Sequence, residues 1–287
     1  MEGEFALGAQ RTRAYLARLG LERPERPTRE ALDELVYAHQ CSIPFETIDM
    51  YRCTEPPDLE PARVFDKLVA QRRGGYCFEL NALFEALLAS LGYRVRPCLC
   101  RAVCGAKVKD PINHRAVLVE LDGKEVLVDV GFGGPLPSAS LSLVDGQEQV
   151  IRGESFTARR IDAYWWAVDR VTGAKKDLYG IEGPSRMQTE LELCLATVMD
   201  RDFDALNLAC SRPGTEFHDH RIANLRTPNG YFAIWDDMLT VRKDGKKERI
   251  PLPDEAAFAD ACEQYFGFRP HVCCSTSLPA QKAKTYI

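Results

Sequence analysis

A cysteine stands at the predicted start of a helix, directly after a pair of glycines, in the run Arg73-Gly74-Gly75-Tyr76-Cys77. The unpaired N–H groups and the positive end of a helix stabilise a thiolate, so this position favours a low thiol pKa and a nucleophilic sulfur. The glycines would let a substrate approach the sulfur closely, and the Cys77 N–H could bind a developing oxyanion. On its own, Cys77 is as consistent with a small buried side chain as with a nucleophile.

A histidine and an aspartate flank a predicted β-hairpin further along the chain. His114 opens one β-type run, Asp129 closes the next, and Asp122-Gly123 between them is a strong tight-turn signal. The start of the first strand of a hairpin lies opposite the end of the second, so His114 and Asp129 are expected to become neighbours. An imidazole held by a carboxylate and facing a cysteine generates a thiolate–imidazolium pair. We therefore predict a catalytic triad of Cys77, His114 and Asp129.

The first 92 residues carry a helical pattern that would position the cysteine. It begins with Leu7 to Leu19, and Thr28 is a plausible N-cap for a second helix. The strongest helical stretch starts at Cys77, follows a single apolar stripe and ends at Gly92.

Beyond residue 92 the pattern changes to short β-type runs, which would carry the histidine and the aspartate. The runs cover residues 95–103, 115–121, 125–130, 156–160 and 164–168. Successive antiparallel strands that close on themselves form a small barrel or sandwich. A helix is predicted near 190–199, a second hairpin at Asp244-Gly245 and a last helix over 256–266.

The composition is that of a globular protein. The chain has 287 residues, of which 45% are hydrophobic and 28% charged, enough for two or three closely packed units or one body with subdomains. A formal net charge of −5 argues against a general nucleic-acid binder, which needs a basic field. Neither a signal-peptide pattern nor an apolar run of about 20 residues is present. We therefore expect a cytoplasmic protein that binds neither nucleic acid nor membrane.

The cysteines favour reduced thiols and no metal. Their number, eleven, is odd, and the chain is too long for a small disulfide-stapled fold. Cys98, Cys100 and Cys104 are closely spaced, but no second pair or nearby histidine completes a zinc set. The pair Cys273-Cys274 lacks such partners as well. We predict no metal site.

Several blocks of the sequence resemble the signatures of the arylamine N-acetyltransferase family. They are residues 73–81, which read RGGYCFELN, then His114, and then Asp129-Val130-Gly131-Phe132-Gly133. Ile43-Pro44-Phe45-Glu46 is similar to a further block, in which an asparagine usually follows where this chain has Thr47. Beyond residue 140 the resemblance is weaker and rests on Ser211, Pro213 and Phe217.

The resemblance implies an α+β fold in three parts. An N-terminal helical bundle over 1–92 would carry the nucleophile, and a central antiparallel β-barrel over 93–205 would carry the histidine and the aspartate. A C-terminal α/β lid would occupy 206–287. The core would be that of the transglutaminase-like cysteine enzymes.

The resemblance also implies the reaction of an enzyme of xenobiotic metabolism. Cys77 would take the acetyl group of acetyl-CoA as a thioester and pass it, by a ping-pong mechanism, to an arylamine, arylhydrazine or N-hydroxyarylamine. His114 would act as base and acid, and Asp129 would orient it. Acetyl-CoA would be a substrate, and no tightly bound cofactor is expected.

Further site residues follow from the same resemblance. Glu46 and Arg73 match a buried ion pair that supports the active-site loop, and Phe132 matches a wall of the acceptor pocket. Phe45 is a second candidate for that wall, with a plain core role as the alternative. We expect CoA in a cleft along three glycines, which could also serve only as a turn: Gly131, Gly133 and Gly134.

Other functions stay open for this sequence. The same triad would serve a relative that uses malonyl-CoA or forms an intramolecular amide, and it would also serve a cysteine peptidase or a transglutaminase. A non-catalytic binding protein that retains the fold is a further alternative. The preferred acceptor and the choice between monomer and homodimer are equally open.

Overall fold

The structure, a computed structural model, describes residues 6–172 and 184–270 of the chain. A helical part, an eight-stranded sheet and a five-stranded sheet with a covering helix follow one another, which confirms the predicted α+β class. The tail from Gln281 to Ile287 and the pair Cys273-Cys274 lie outside the described residues. Within the described ranges, no helix combines the length and the apolar character needed to cross a membrane.

The N-terminal part is helical. It consists of α1 (Ala9–Leu19), α2 (Arg29–Ser42), the two-residue strand β1 (Phe45–Glu46), α3 (Pro61–Phe65) with a π-helical turn (Asp66–Ala70), and α4 (Cys77–Ser90). The hydroxyl of Thr28 accepts a hydrogen bond from the Ala31 N–H, which confirms the predicted N-cap. Helix α4 is buried along most of its length because it lies between the other helices and the central sheet.

The central part is an antiparallel sheet that almost closes into a barrel. Its strands are β2 (Arg94–Ala102), β3 (His114–Leu121), β4 (Lys124–Val128), β5 (Leu141–Ser142), β6 (Glu148–Ile151), β7 (Glu154–Arg160), β8 (Trp165–Thr172) and β9 (Arg186–Cys194). They are hydrogen-bonded in the order β5-β4-β3-β2-β9-β8-β7-β6. The Gln149 side chain links the two edge strands, because it accepts from the Ser142 N–H at 2.8 Å and donates to the Ser142 carbonyl at 2.9 Å. The predicted β-barrel is confirmed.

The predicted helix over 190–199 is wrong, because its first half, residues 190–194, belongs to β9 and residues 195–199 are not helical. Leu191 and Leu193 are buried in the barrel core, and they alternate with Glu190 and Glu192, whose carboxylates pair with arginines of neighbouring strands. Leucine and glutamate have high helix propensity, which favours the helical interpretation. The pairing of β9 with β2 on one side and β8 on the other outweighs that propensity. The alternation of leucine and glutamate at every second residue was the sequence signal for a strand.

The C-terminal part is a second antiparallel sheet with a helix on it. It comprises α5 (Asp202–Cys210), α6 (Glu216–Asp219), β10 (Ile222–Thr227), β11 (Gly230–Trp235), β12 (Met238–Lys243), β13 (Lys246–Pro251), and α7 (Glu255–Ala261) with a π-helical turn (Cys262–Phe266). Strand β1 completes this sheet by pairing with β10, so that Phe45 lies opposite Asn224. Since the N-terminal part contributes a strand here, the boundaries 1–92, 93–205 and 206–287 stay a prediction.

Both predicted hairpin turns are present. Asp122-Gly123 joins β3 to β4 and Asp244-Gly245 joins β12 to β13, and all four residues have the positive φ angles of a tight turn. The first turn pairs Leu121 with Lys124, which sets the register of the whole β3–β4 hairpin. This register determines where the residues at the open end of the hairpin meet.

Candidate active site

Cys77 is the first residue of α4, and only 1% of its surface is exposed. The helix begins there because Tyr76 is extended and donates its N–H to the Glu79 carboxylate at 3.0 Å. N–H groups in the first turn have no acceptor within their own helix. The sulfur therefore lies at the positive end of the helix dipole.

His114 and Asp129 meet at the open end of the β3–β4 hairpin. His114 begins β3, and Asp129 follows the last residue of β4. His114 Nε2 and Asp129 Oδ2 are 2.5 Å apart, and both side chains are buried. The carboxylate thus holds one nitrogen of the imidazole and leaves Nδ1 as the ring nitrogen for proton transfer.

The sulfur of Cys77 lies against the start of β3. It is 3.9 Å from the carbonyl oxygen of Asn113, and the backbone of Arg115 forms a hydrogen bond that acts on the thiol. These two residues flank His114 in the chain. The structure therefore brings the three residues of the predicted triad, Cys77, His114 and Asp129, together in one buried site.

The surroundings of Cys77 favour the neutral thiol. Burial raises the pKa of Cys77 well above its usual range, and the nearby Cys210 and Asp129 add to this rise, whereas the backbone of Arg115 opposes it. The sequence-based expectation was a low pKa set by the helix terminus. Loss of water around the sulfur outweighs the helix terminus here, so ionisation needs a base that accepts the proton, and His114 is the candidate.

Asn81 connects the helix of the nucleophile to both strands of the hairpin. It lies four residues after Cys77 and therefore on the same face of α4. Its side-chain Nδ2 donates to Asp129 Oδ1 at 3.0 Å and to the Arg115 carbonyl at 2.6 Å. Its Oδ1 accepts from the Val130 N–H at 3.0 Å. Asn81 ends the block 73–81, but no role was predicted for it from the sequence. Its spacing of four residues from Cys77 was a signal that both side chains lie on one face of the helix.

Ion pairs hold the loop that precedes Cys77. Arg73 Nη2 is 2.7 Å from Glu46 Oε1 and 2.8 Å from Asp49 Oδ1. Lys67 Nζ is 2.8 Å from Glu79 Oε1 and 2.9 Å from Asp49 Oδ2. Burial alone would lower the pKa of Lys67, but the carboxylates around it raise the pKa above its ordinary value, so the lysine stays charged. The predicted pair of Glu46 and Arg73 is thus part of a larger network, whose lysine the sequence analysis missed.

The glycines before Cys77 serve close packing against the protein itself. A Cβ atom on Gly74 would lie 2.3 Å from the Pro44 carbonyl oxygen, and one on Gly75 would lie 2.8 Å from Glu79 Oε2. Neither gap admits a side chain. Atoms of Pro44, Glu46 and Glu79 fill the space beside these glycines, so it is not left open for a substrate.

A small cavity of ≈ 40 Å³ adjoins the site. The residues proposed for substrate and CoA that line it are Phe45, Phe132, Gly133 and Gly134. The Phe132 ring contacts the His114 ring edge-on, with 5.4 Å between the ring centroids. An aromatic ring is larger than this cavity, so binding one there requires the walls to move.

Two glycines of the 131–134 run have different neighbours. Gly133 has a φ of +70°, and a Cβ atom on it would lie 2.5 Å from Cγ of the Phe45 ring. Gly131 packs against α4 instead, since a Cβ atom there would lie 2.9 Å from the Cys77 Cα. Three glycines were expected along CoA. Gly133 and Gly134 line the cavity, whereas Gly131 does not.

The C-terminal part reaches the site through α5 and α6. The Phe217 ring lies 5.9 Å from the Phe45 ring, and Asn207 accepts a hydrogen bond from the Tyr76 hydroxyl. The sulfur of Cys210 is 4.0 Å from the carbonyl oxygen that Cys77 also contacts. Sequence reasoning missed Asn207 and Cys210 because their contacts are distant along the chain, 131 residues from Asn207 to Tyr76 and 97 from Cys210 to Asn113.

Residues 28–271 match a family model described as N-acetyltransferase. Over 260 residues the sequence is 33% identical to the arylamine N-acetyltransferase of Mycobacterium tuberculosis, with 88% of each chain covered.

Solved structures are similar over nearly the whole length as well. Arylamine N-acetyltransferase from Salmonella typhimurium superposes with a TM-score of 0.81 at 27% identity, covering 91% of this chain and 92% of the other. The Mycobacterium marinum arylamine N-acetyltransferase in complex with CoA gives a TM-score of 0.77 at 30% identity, covering 89% and 92%.

Proposed function

This chain belongs to the arylamine N-acetyltransferase family and is an acetyltransferase, and from this premise we propose that Cys77 carries the acetyl group as a thioester. The donor would be acetyl-CoA, and the acceptors would be arylamines, arylhydrazines and N-hydroxyarylamines. The observation that carries the proposal is the buried pair of His114 and Asp129 beside a cysteine at a helix N-terminus. This arrangement supplies a nucleophile, its base and the group that orients the base.

In the first half-reaction, His114 Nδ1 accepts the proton of the Cys77 thiol. The thiolate attacks the acetyl carbonyl of acetyl-CoA, the bond from that carbon to the CoA sulfur breaks, and the CoA thiolate takes the proton from His114. The N–H of Cys77 is a donor for the oxyanion of the tetrahedral intermediate. Asp129 stabilises the imidazolium that exists between the two proton transfers.

In the second half-reaction, the acceptor nitrogen or hydroxylamine oxygen attacks the thioester. His114 takes the proton that the acceptor loses, the bond between the acetyl carbon and the Cys77 sulfur breaks, and the Cys77 thiolate takes that proton from His114, which restores the thiol. Because a weakly basic arylamine is largely unprotonated at neutral pH, it is a competent nucleophile without further activation. Both half-reactions use the same sulfur, which gives ping-pong kinetics.

The substrates would bind beside the 131–134 run. The M. marinum relative was solved with CoA, which supports acyl-CoA as a substrate of this chain rather than a resident cofactor. Phe132 contacts the His114 ring and Phe45 lies across the cavity, so an aromatic acceptor would meet ring faces and edges close to the thioester. The cavity has to open for this contact to form.

Intact-mass measurement after brief exposure to acetyl-CoA tests the proposal. Without acceptor, the wild-type protein should gain one acetyl group, and an added arylamine should remove it. The matched Cys77→Ala variant should gain none, whereas Cys262→Ala, at a buried thiol in the C-terminal core, should behave as the wild type. Wild-type protein that never gains an acyl group from acetyl-CoA, propionyl-CoA or malonyl-CoA would refute the thioester mechanism.

A further inference from the structure

We propose that Asn81 is a positioning residue for acetyl transfer, which holds the Asp129 carboxylate so that Oδ2 faces His114. The inference rests on the function proposed above, because it concerns the proton acceptor of the same reaction. It comes from the hydrogen bonds of a completely buried side chain, which go to Asp129 and to two backbone groups rather than to the sulfur or the imidazole.

The two oxygens of Asp129 have separate tasks. Oδ1 accepts from the Asn81 side chain at 3.0 Å and from the Gly131 N–H at 2.8 Å, while Oδ2 lies 2.5 Å from His114 Nε2. Rotation of the carboxylate would break both bonds to Oδ1 without a replacement. Asn81 therefore fixes the direction from which the imidazole is held.

The same amide ties together the elements that carry the triad. Asn81 belongs to α4, as Cys77 does, and it donates to the Arg115 carbonyl in β3 and accepts from the Val130 N–H just after β4. Both N–H groups and the carbonyl oxygen of the side chain are thus used. The orientation follows from charge, since an amide oxygen turned towards the Asp129 carboxylate would repel it.

Only an amide meets this demand for two donors and one acceptor. A carboxylate of the same size accepts from the Val130 N–H but offers nothing to Asp129, and an alanine offers no hydrogen bond at all. We expect Asn81→Ala to lower the rate of acetyl transfer about 10- to 100-fold, as for other residues that orient a catalytic group without touching substrate.

Asn81→Asp should change the pH profile, which a purely structural role would not do. Two carboxylates that share a buried site cannot both ionise easily, so one of them stays protonated at neutral pH. The acidic limb of the rate profile should therefore move to higher pH, and the lost activity should recover in part as the pH rises. Asn81→Ala should show no such recovery.

Leu87→Ala is the matched control, because Leu87 is fully buried in the same helix and lies about 15 Å further along it than Cys77. It should lower the stability, as loss of a buried leucine does, and leave the rate per folded molecule and its pH profile unchanged. Wild-type rates and profiles in Asn81→Ala, with only the stability lowered as in Leu87→Ala, would overturn the inference. Should Asn81→Asp fail to fold, Asn81→Ala and Asn81→Ser decide the matter.

A second measurement separates this inference from the proposed function. The rate at which iodoacetamide alkylates Cys77, followed by mass spectrometry from pH 5 to pH 9, reports thiolate formation without any acyl donor. Asn81→Ala should slow this alkylation at neutral pH, whereas Leu87→Ala should not. If the wild type forms no acetyl adduct but Asn81→Ala still slows alkylation, the acetyl-transfer proposal fails and the positioning role stands. Equal alkylation profiles in the wild type and Asn81→Ala would refute the positioning role.

Discussion

His39 in the helical part and His114 at the start of β3 are both buried, yet their surroundings differ in one respect. His39 Nε2 is hydrogen-bonded to the Tyr15 hydroxyl at 2.8 Å, and the rings of Tyr15 and Phe84 contact the imidazole edge-on. Burial, assisted by the charge of Arg18, lowers the pKa of His39 from 6.5 to about 3. His39 is therefore a neutral core residue at every physiological pH.

His114 has a carboxylate where His39 has a hydroxyl. Asp129 can compensate the charge of an imidazolium in a buried site, and a neutral hydroxyl cannot. The comparison predicts that burial by itself keeps a histidine neutral, whereas a carboxylate held beside it lets His114 accept a proton. The same rule covers the loop before Cys77, where the largely buried Lys67 and Arg73 keep their charges because carboxylates surround them.

Asp129→Asn would remove the carboxylate that distinguishes the surroundings of His114 from those of His39. It should have the largest effect. The amide matches the carboxylate in size, but it cannot stabilise an imidazolium and it favours the wrong tautomer of the ring. We expect the rate of acetyl-adduct formation on Cys77 to fall about 10⁴-fold, measured by intact mass in a rapid-quench experiment. His39→Gln should keep the wild-type rate. A loss of less than tenfold in Asp129→Asn would mean that the carboxylate does not support the base.

Arg73→Met would test the rule that a buried charge depends on a partner of opposite charge. It leaves Glu46, whose side chain is fully buried, without its arginine, and we expect the free energy of unfolding to fall by about 3–5 kcal/mol in urea titrations. Arg94→Met is the control, because Arg94 pairs with Glu120 at the surface and should cost less than about 1 kcal/mol. Equal losses in the two variants would contradict the distinction between buried and exposed pairs.

His39→Gln should have the smallest effect of these changes, measured as a difference in the pH dependence of stability. Because the pKa of His39 lies lower in the folded chain than in the unfolded chain, the unfolded chain binds more protons between pH 6.5 and pH 3. Stability therefore falls as the pH falls, and this histidine alone should cost the wild type about 2 kcal/mol between pH 7 and pH 5. Urea unfolding at both pH values should show that the free energy of unfolding falls by about 2 kcal/mol less in His39→Gln than in the wild type. An identical pH dependence in both proteins would show that His39 titrates normally.

Much of the site could be predicted because its decisive features are local in sequence. The Asp122-Gly123 turn sets the register of β3 and β4, and that register places His114 beside Asp129. The helix that starts at Cys77 follows from an apolar stripe and from a first turn capped by Glu79. These features depend on turn chemistry and helix capping, which act over a few residues.

The features that sequence reasoning missed depend on contacts between distant segments. Residues 190–194 of β9 were assigned to the predicted helix over 190–199, because the pairing of this segment with β2 and β8, which outweighs its helix propensity, joins separate parts of the chain. The pairing of Phe45 with Asn224, nearly 180 residues away, has no local signal. The same holds for Lys67, whose role appears only when the π-helical turn brings its amine to Glu79.

The sequence by itself determined which groups are candidates for the chemistry: one cysteine at a helix start, one imidazole, one carboxylate and the turn that pairs the last two. Only the tertiary structure decided how these groups behave. Burial raises the pKa of the Cys77 thiol against the pull of the helix terminus, and Asn81 assigns each oxygen of Asp129 its partner. The physical reason is that desolvation and hydrogen-bond saturation depend on every neighbour that folding brings to a site, and most of those neighbours lie far away along the chain.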